Sequence, residues 1–242
     1  MVTHCDSCPL RLKPRFAPMS EAQVRETNKF KVGEMVVEPS TPILTEGSHS
    51  AQIFTVLEGM GLRTTTLENG RRQVTSFVFP GDLIGLQAAV MGEMTHTVEA
   101  RTRMKLCVFD RAALWDFVKV SPARSYDLIW IAASEETFLS EALTTVGQRT
   151  AEQAVAWALV TLWQRAEGLH LLRDDGMPLP YRQQDLADAL GLSLVHTNKT
   201  LAKFRERQLA VWRDGVMRIN DLPTLARIGL VEGGAPAERP LL

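Results

Sequence analysis

The sequence predicts an α+β chain in three parts: a small β-roll, then one long helix, then a compact unit of helices that includes a β-hairpin. Three observations lead to this prediction. Short apolar runs separated by glycines fill residues 30–111. Residues 123–146 contain neither glycine nor proline and are rich in helix formers. Two helical apolar patterns separated by a glycine then precede a hairpin signal.

The β-roll is predicted over residues 21–120, after a leader of residues 1–20 that is rich in cysteine and proline. Its strand candidates are Ile53–Leu57, Gly61–Leu67, Val74–Phe79, Thr97–Ala100 and Leu106–Phe109. The turn Glu68-Asn69-Gly70 joins two of them as a hairpin. Strands at such even spacing are typical of a small all-β barrel or roll.

Residues 121–148 are predicted to form one helix that pairs with a second copy of itself. A stripe at alternating spacings of three and four residues consists of Ile129, Ala132, Glu136, Leu139, Leu143 and Val146. This spacing is that of a dimeric coiled-coil seam. The alternative is that the stripe packs on the β-roll. We expect a second face of the helix, with Trp130, Ala133 and Phe138, to cover the roll.

The spacing within residues 149–230 is that of a helix-turn-helix. The first helix has its apolar set at Leu186, Ala187 and Leu190. Gly191 follows where a tight turn needs a positive φ, and Ser193 is a good N-cap for a second helix. An ordinary pair of packed helices is the alternative that this spacing leaves open.

A β-hairpin signal follows the helix pair and favours the first of these alternatives. Leu209–Trp212 and Val216–Ile219 are short apolar runs joined by Arg213-Asp214-Gly215. Helix, turn, helix and hairpin together describe a winged helix, whose second helix enters the major groove of double-stranded DNA. Cationic side chains outnumber carboxylates here, which favours phosphate contacts although the whole chain has a net charge of −1.

The composition is that of a globular protein with an apolar core: 242 residues, 45% hydrophobic and 23% charged. No apolar run approaches the ~20 residues that cross a bilayer, and the first residues lack the layout of a signal peptide. We therefore expect a cytoplasmic protein without a membrane partner. No catalytic motif stands out, so we do not expect an enzyme. The Gly- and Pro-containing tail, residues 231–242, is predicted to be flexible.

These features resemble the Crp/Fnr family of bacterial transcription regulators from Cys5 to about Gly229. The most specific pieces are the helix pair and Phe79–Gly85, which is similar to the family's P-G-[DE]-x-x-G turn. The resemblance implies a double-stranded β-helix, the jelly roll of cyclic-nucleotide-binding domains, followed by a dimerisation helix and a winged helix-turn-helix. It also implies a homodimer that binds palindromic promoter DNA and works with RNA polymerase.

The resemblance also bears on what the roll binds. Cyclic-nucleotide-binding members carry an Arg-Ser or Arg-Thr pair about a dozen residues after the P-G-[DE] turn, and the arginine pairs with the cyclic phosphate. Met94 stands in the place of that arginine. Because a methionine cannot neutralise a phosphate, no cyclic nucleotide is expected.

The cysteines favour the Fnr-like, oxygen-sensing branch, which binds a [4Fe–4S] cluster through three leader cysteines, spaced C-x2-C-x5-C, and one in the roll. Cys5 and Cys8 match the first two, Pro14 stands where the third is expected, and Cys107 falls near the distal ligand. An iron–sulfur cluster would therefore need a fourth ligand from elsewhere. Alternatives are redox-active thiols without iron, or mute cysteines in a regulator that responds to a small molecule in the roll or to its own abundance.

By the same resemblance, the DNA-binding residues lie at the helix pair. The candidates are Arg182, Gln183, Ser193, Val195, His196, Asn198, Lys199 and Lys203. Typical members carry an early glutamate and, four residues later, an arginine that contacts guanine. Here these positions hold Val195, which can pack on a thymine methyl, and Lys199, which can donate to guanine O6 or N7. Thr197 and Thr200 are expected to face inward.

Overall fold

The computed structural model describes residues 2–174, 176–231 and 238–242. Its helices are α1 (Glu21–Phe30), α2 (Leu86–Met91), α3 (Leu114–Val120), α4 (Pro122–Gln148), α5 (Ala151–Gly168), α6 (Gln183–Leu190), α7 (Leu194–Glu206) and α8 (Leu222–Gly229). Its strands are β1 (Lys31–Val37), β2 (Pro42–Leu44), β3 (Gln52–Glu58), β4 (Gly61–Thr66), β5 (Arg72–Val78), β6 (Leu83–Ile84), β7 (Thr97–Ala100), β8 (Met104–Asp110), β9 (Met177–Pro178), β10 (Ala210–Arg213) and β11 (Val216–Ile219).

The chain forms two compact units, and the boundary between them in the sequence falls within α4. The sensor unit ends at Glu135 and also includes Glu238–Leu242, whereas the winged-helix unit begins at Glu136. Among the helices in the described ranges, none has the length and apolarity needed to cross a bilayer.

The sensor unit is the predicted β-roll. Two four-stranded antiparallel sheets, in the orders β1-β8-β3-β6 and β2-β7-β4-β5, form it. The core contains Val56, Ile84, Val98 and Leu106. The α+β fold class with a jelly roll, a long helix and a C-terminal helix-turn-helix is confirmed.

Strands β3 and β8 are buried on both faces, which explains their continuous apolar runs. Phe54 and Val56 point into the roll. Because side chains alternate along a strand, Thr55 lies on the opposite face, yet it is only 2% exposed. Cys107 is directly opposite Thr55 in the β3–β8 ladder and is also buried. A further layer of chain therefore covers this outer face.

Strand β1 was not among the predicted strands, because charged residues and a glycine interrupt its apolar residues. It contains a glycine and two charged residues, Lys31 and Glu34. Both side chains are nevertheless buried, 4% and 7% exposed, and form an ion pair with an N–O distance of 2.8 Å. Pairing offsets part of the cost of burying the two charges. A pattern of apolar residues cannot reveal such a strand.

Helix α4 spans the predicted dimerisation segment. Ile129, Leu139, Leu143 and Val146 of the predicted seam are exposed apolar side chains, and Ala132 and Glu136 are exposed as well. The predicted roll-covering face was wrong. Leu128 and Ile131 are the buried apolar residues in the first half of the helix. Ala133 is exposed, and Phe138 stacks on Trp157 of α5, with ring centroids 6.3 Å apart.

The winged-helix unit follows the predicted order of helix, turn, helix and hairpin. Strands β10 and β11 pair with β9 in a three-stranded sheet. Helix α8 packs so closely on α5 that a Cβ on Gly229 would lie 2.6 Å from the backbone nitrogen of Trp157. Only glycine permits this approach. Phe204 and Leu225, both fully buried, belong to the apolar interior of the unit.

The prediction of a flexible tail over residues 231–242 needs a correction. Residues 232–237 lie outside the described residues. The last five residues belong to the sensor unit, where Leu241 and Leu242 are 4% and 5% exposed. Arg239 is buried and paired with Asp82. Two buried apolar side chains and one ion pair thus anchor residues 238–242. The prediction of flexibility came from the glycine and proline residues of the tail.

Candidate DNA-reading helix and cysteine pocket

The turn between α6 and α7 has the geometry that the sequence indicated. Gly191 ends α6 with φ +65° and ψ 21°, and the Leu192 N–H donates to the Ala187 carbonyl at 3.0 Å. The Ser193 hydroxyl oxygen accepts from the His196 N–H at 3.2 Å, so Ser193 caps α7 as predicted. These local contacts fix where α7 begins and therefore which of its side chains face outward.

Helix α7 has an exposed face, which carries the candidate base-contacting residues, and a buried face, which packs on the core. Val195 is 77% exposed, and His196, Asn198 and Lys199 are exposed beside it. On the other side, Thr197 and Thr200 are buried as predicted. The Thr197 hydroxyl donates to the Ser193 carbonyl at 3.2 Å, and the Thr200 hydroxyl donates to the His196 carbonyl at 3.0 Å. The outward face thus offers a methyl-bearing side chain, an amide and a cation.

The start of α6 provides a second group of donors. Arg182 is exposed and Gln183 is half-buried. The buried Asp185 carboxylate accepts from the Arg182 backbone N–H at 2.9 Å and so fixes the first turn. Backbone N–H groups at a helix N-terminus and a neighbouring arginine are a setting that suits DNA phosphates.

Lys203 does not stand alone on the surface. It donates a short hydrogen bond to Glu152 Oε2 of α5, and Arg207 Nη1 lies 2.6 Å from Glu152 Oε1. The bond from Lys203 lowers the pKa of Glu152 below its usual range. Sequence reasoning missed Glu152, because 51 residues separate it from Lys203.

The β10–β11 hairpin carries two further cations. Asp214 and Gly215 at its tip have φ values of +54° and +73°, which is a turn that matches the twist of the strands. Arg213 and Arg218 are exposed and line one surface depression with Val211, Asp214 and Val216. This wing is suited to a phosphate backbone.

The structure brings Cys5, Cys8 and Cys107 together in the sensor unit. All three line one pocket on the outer face of β3 and β8, with Leu57, Phe109, Leu241 and Leu242 among its other walls. They are free thiols; Cys5 and Cys8 are half-buried and Cys107 is buried. The space left has a volume of about 20 Å³, enough for about one water molecule. We call this site the cysteine pocket.

Burial keeps the thiols of Cys5 and Cys107 protonated at neutral pH. It raises the pKa of Cys5 to about 11, although the Lys31 ammonium opposes the shift. Burial also raises the pKa of Cys107, despite a hydrogen bond from Lys31. Because the thiolate is the reactive form, both cysteines react slowly in this state.

A buried ionic network fixes the leader beside Cys107. Glu34 lies opposite Cys107 in the β1–β8 ladder, and its two carboxylate oxygens contact Lys31 and Lys105 at 2.8 and 2.9 Å. The Thr3 N–H donates to the same carboxylate at 2.9 Å. Burial alone would raise the pKa of Glu34, but these hydrogen bonds lower it to about 2.

The described residues do not fit a [4Fe–4S] cluster. Such a cluster takes four ligands, and the pocket supplies three thiols. Within the described ranges, no group of three or more His, Cys, Asp or Glu side chains is arranged to hold a metal ion. Leu241 and Leu242 also form part of the pocket wall.

Met94, which the sequence resemblance places where the family has its phosphate-binding arginine, lies in the hydrophobic core. Met94 is 1% exposed and belongs to the core of the roll.

Burial, helped by the nearby Arg63 guanidinium, lowers the pKa of His96 to about 4, so this imidazole is neutral at physiological pH. Arg63 itself contacts Glu135 and the Leu83 carbonyl, both at 2.9 Å.

Comparisons with known proteins agree with this architecture. The chain matches the family "Cyclic nucleotide-binding domain" over residues 34–121 and the family "Crp-like helix-turn-helix domain" over residues 153–228. The nitrogen fixation regulation protein FixK of Rhizobium meliloti is 30% identical over 198 residues, which cover 82% of this chain and 83% of that protein. The transcriptional activator protein FnrL of Cereibacter sphaeroides is 24% identical over 218 residues, covering 89% and 84%.

A solved structure shares the fold. FixK2 from Bradyrhizobium japonicum aligns with a TM-score of 0.72 at 20% sequence identity, over 81% of this chain and 96% of that one.

Proposed function

This chain belongs to the Crp/Fnr family of DNA-binding transcription regulators, and from that membership we propose that it acts as a homodimer that reads palindromic promoter DNA through α7. The observation that carries the proposal is the division of α7 into a buried face and an exposed face. The exposed face holds Val195, Asn198 and Lys199, whose side chains can contact a thymine methyl, an adenine edge and a guanine edge.

The exposed stripe on α4 supports the homodimer. Leu143 is 74% exposed and Ile129 is 66% exposed, and these side chains recur at the spacing of a coiled-coil seam. An exposed stripe of apolar side chains, here with Glu136 among them, marks an interaction surface. A two-fold axis along the stripe would present two copies of α7, so the operator should contain two inverted half-sites about one helical turn apart.

The same proposal assigns RNA polymerase as a partner and the cytoplasm as the location. Both follow from action at bacterial promoters. The relative FnrL is named a transcriptional activator, which supports contact with the polymerase.

In vitro selection from a randomised DNA duplex tests the DNA-reading proposal. We expect enrichment of a palindrome with half-site centres about 10 base pairs apart. Affinity for the selected duplex should fall steeply with salt, by ~0.9 log units per phosphate contact for each log unit of salt. Enrichment of no sequence, or of one without two-fold symmetry, would contradict the proposal.

We assign the signal to the cysteine pocket as a thiol response without iron. Three thiols share one pocket, while the roll interior holds Met94 where a cyclic phosphate would need a cation. In the step that we propose, Cys107 and one of the two leader thiols, Cys5 or Cys8, reduce one molecule of hydrogen peroxide. One S–S bond forms, the O–O bond breaks, and two electrons and two protons pass to the oxygens to give two water molecules.

The thiol response predicts that peroxide changes the affinity of the reduced protein for its selected duplex. We expect Cys107→Ser to abolish this change and to keep the affinity of the reduced protein, because serine has a similar size and cannot form the disulfide. Fluorescence anisotropy before and after peroxide, with iron and sulfide analysis of protein purified without oxygen, checks it. Bound iron and sulfide, or an unchanged response in Cys107→Ser, would contradict a thiol response without iron.

A further inference from the structure

The last residues of the chain are tied to its leader. After the winged-helix unit, residues 238–242 return to the sensor unit. The Arg239 N–H donates to the Arg15 carbonyl, and the Arg239 carbonyl accepts from the Ala17 N–H, both at 2.9 Å. Two backbone hydrogen bonds thus join the tail to the segment that follows Cys5 and Cys8.

A buried ion pair anchors the same residue to the P-G-D turn of the roll. Arg239 Nη1 lies 2.9 Å from Asp82 Oδ1, and the two side chains are 6% and 3% exposed. The other oxygen of Asp82 accepts from the Phe79 N–H at 2.8 Å. The pair therefore joins the tail to a carboxylate that the turn already holds in place.

The ion pair is incompletely satisfied, which makes it suited to opening. Among the described residues, Nε and Nη2 of Arg239 are buried and have no hydrogen-bond acceptor. Unpaired buried donors offset much of what a charged hydrogen bond contributes. The ion pair thus fixes the position of the tail, while two donors of Arg239 have no acceptor among the described residues.

The final two residues lie against the thiols. The Leu241 carbonyl accepts from Arg124 Nη2 at 2.5 Å, and the Leu242 carbonyl accepts from the Thr55 hydroxyl at 2.7 Å. Thr55 is the direct cross-strand neighbour of Cys107, and neighbours in a ladder present their side chains on one face. Both leucines line the cysteine pocket and shield Cys107 from water.

We propose that residues 238–242 are a latch that closes the cysteine pocket, so that the pairing of Arg239 with Asp82 controls the access of oxidants and electrophiles to Cys107. This inference deepens the proposed thiol response and rests on it for its regulatory consequence. The access itself depends only on the contacts above.

Alkylation of the full-length reduced protein by N-ethylmaleimide, mapped to each cysteine by mass spectrometry, tests the latch. In Arg239→Gln the rate at Cys107 is expected to rise about tenfold, a factor that corresponds to about 1.4 kcal/mol. Arg227→Gln is the matched control, because Arg227 is an exposed arginine of the winged-helix unit. Its Cys107 rate should equal that of the unaltered protein.

Thr55→Val provides a second route if Arg239→Gln fails to fold. The substitution removes the hydroxyl that donates to Leu242 and keeps a β-branched side chain, so the Cys107 rate should again rise while hydrogen exchange within the core strands stays slow. Unchanged Cys107 rates in the folded variants would overturn the latch. If Cys107 becomes accessible but peroxide does not alter DNA affinity, the latch stands and the proposed thiol response is wrong.

Discussion

Replacing Leu139 and Leu143 together with glutamate is expected to convert the regulator into a monomer that no longer holds a two-half-site operator. The two leucines are 50% and 74% exposed on α4 and lie on the predicted seam. Each leucine buried in a dimer contributes about 1.5–3 kcal/mol, and two-fold symmetry makes each substitution act twice. Introduced carboxylates would also face each other. We therefore expect the dimer dissociation constant to rise at least about a thousandfold.

Sedimentation equilibrium over a range of concentrations measures this change. Thr144→Glu with Gln148→Glu is the matched control, because both residues are exposed on α4 outside the stripe. The control adds the same charge to the same helix and should remain dimeric. A dimer that survives in the leucine variant would place the interface elsewhere and would remove the basis for the expected half-site spacing.

The elements that could be predicted from sequence are those whose cause is local. The turn at Gly191 depends on a residue that tolerates a positive φ. The start of α7 depends on Ser193, whose hydroxyl oxygen accepts a hydrogen bond from the N–H of the residue three positions later. The exposed stripe of α4 follows from helical periodicity alone. Each of these features is determined by residues that are close together in the sequence, so a local pattern is enough to predict it.

The elements that escaped prediction depend on distant partners. The Arg239–Asp82 pair joins residues 157 positions apart, and the bond from Thr55 to Leu242 joins residues 187 apart. No local pattern marks either contact. One signal was available, however. The continuous apolar runs of β3 and β8 are longer than a strand with one buried face requires, and they indicate that another segment covers the outer face.

The cysteines illustrate the limit of motif spacing. Spacing suggested that Cys107 acts with Cys5 and Cys8, and the structure places all three around one pocket. Spacing could not show that Leu241 and Leu242 line the same pocket, nor that burial raises the pKa of Cys5 to about 11. These properties depend on the packed environment, and they decide how fast the thiols can react.

Lys199→Ala is expected to weaken sequence discrimination while the fold stays intact. Lys199 is exposed on α7, and the opposite face of the helix, with Thr197 and Phe204, remains buried. A good base contact discriminates by about 1–3 kcal/mol, and a dimer makes the contact twice. We therefore expect at least about thirtyfold weaker binding to the selected duplex, corresponding to ~2 kcal/mol. Fluorescence anisotropy measures the affinities for the selected duplex and for a scrambled duplex, and their ratio gives the sequence discrimination.

Two substitutions in the ion pairs beside Lys199 distinguish a contact to a base from a contact to a phosphate. Lys203→Ala should weaken binding to the selected and scrambled duplexes by similar factors, because a phosphate contact carries no sequence information. Glu152→Gln should strengthen binding to both, since it releases Lys203 and Arg207 from their shared carboxylate and removes a negative charge near the phosphates. If Lys199→Ala lowered both affinities equally, as Lys203→Ala should, Lys199 would be a phosphate contact, and the reading of guanine would belong to another residue of α7.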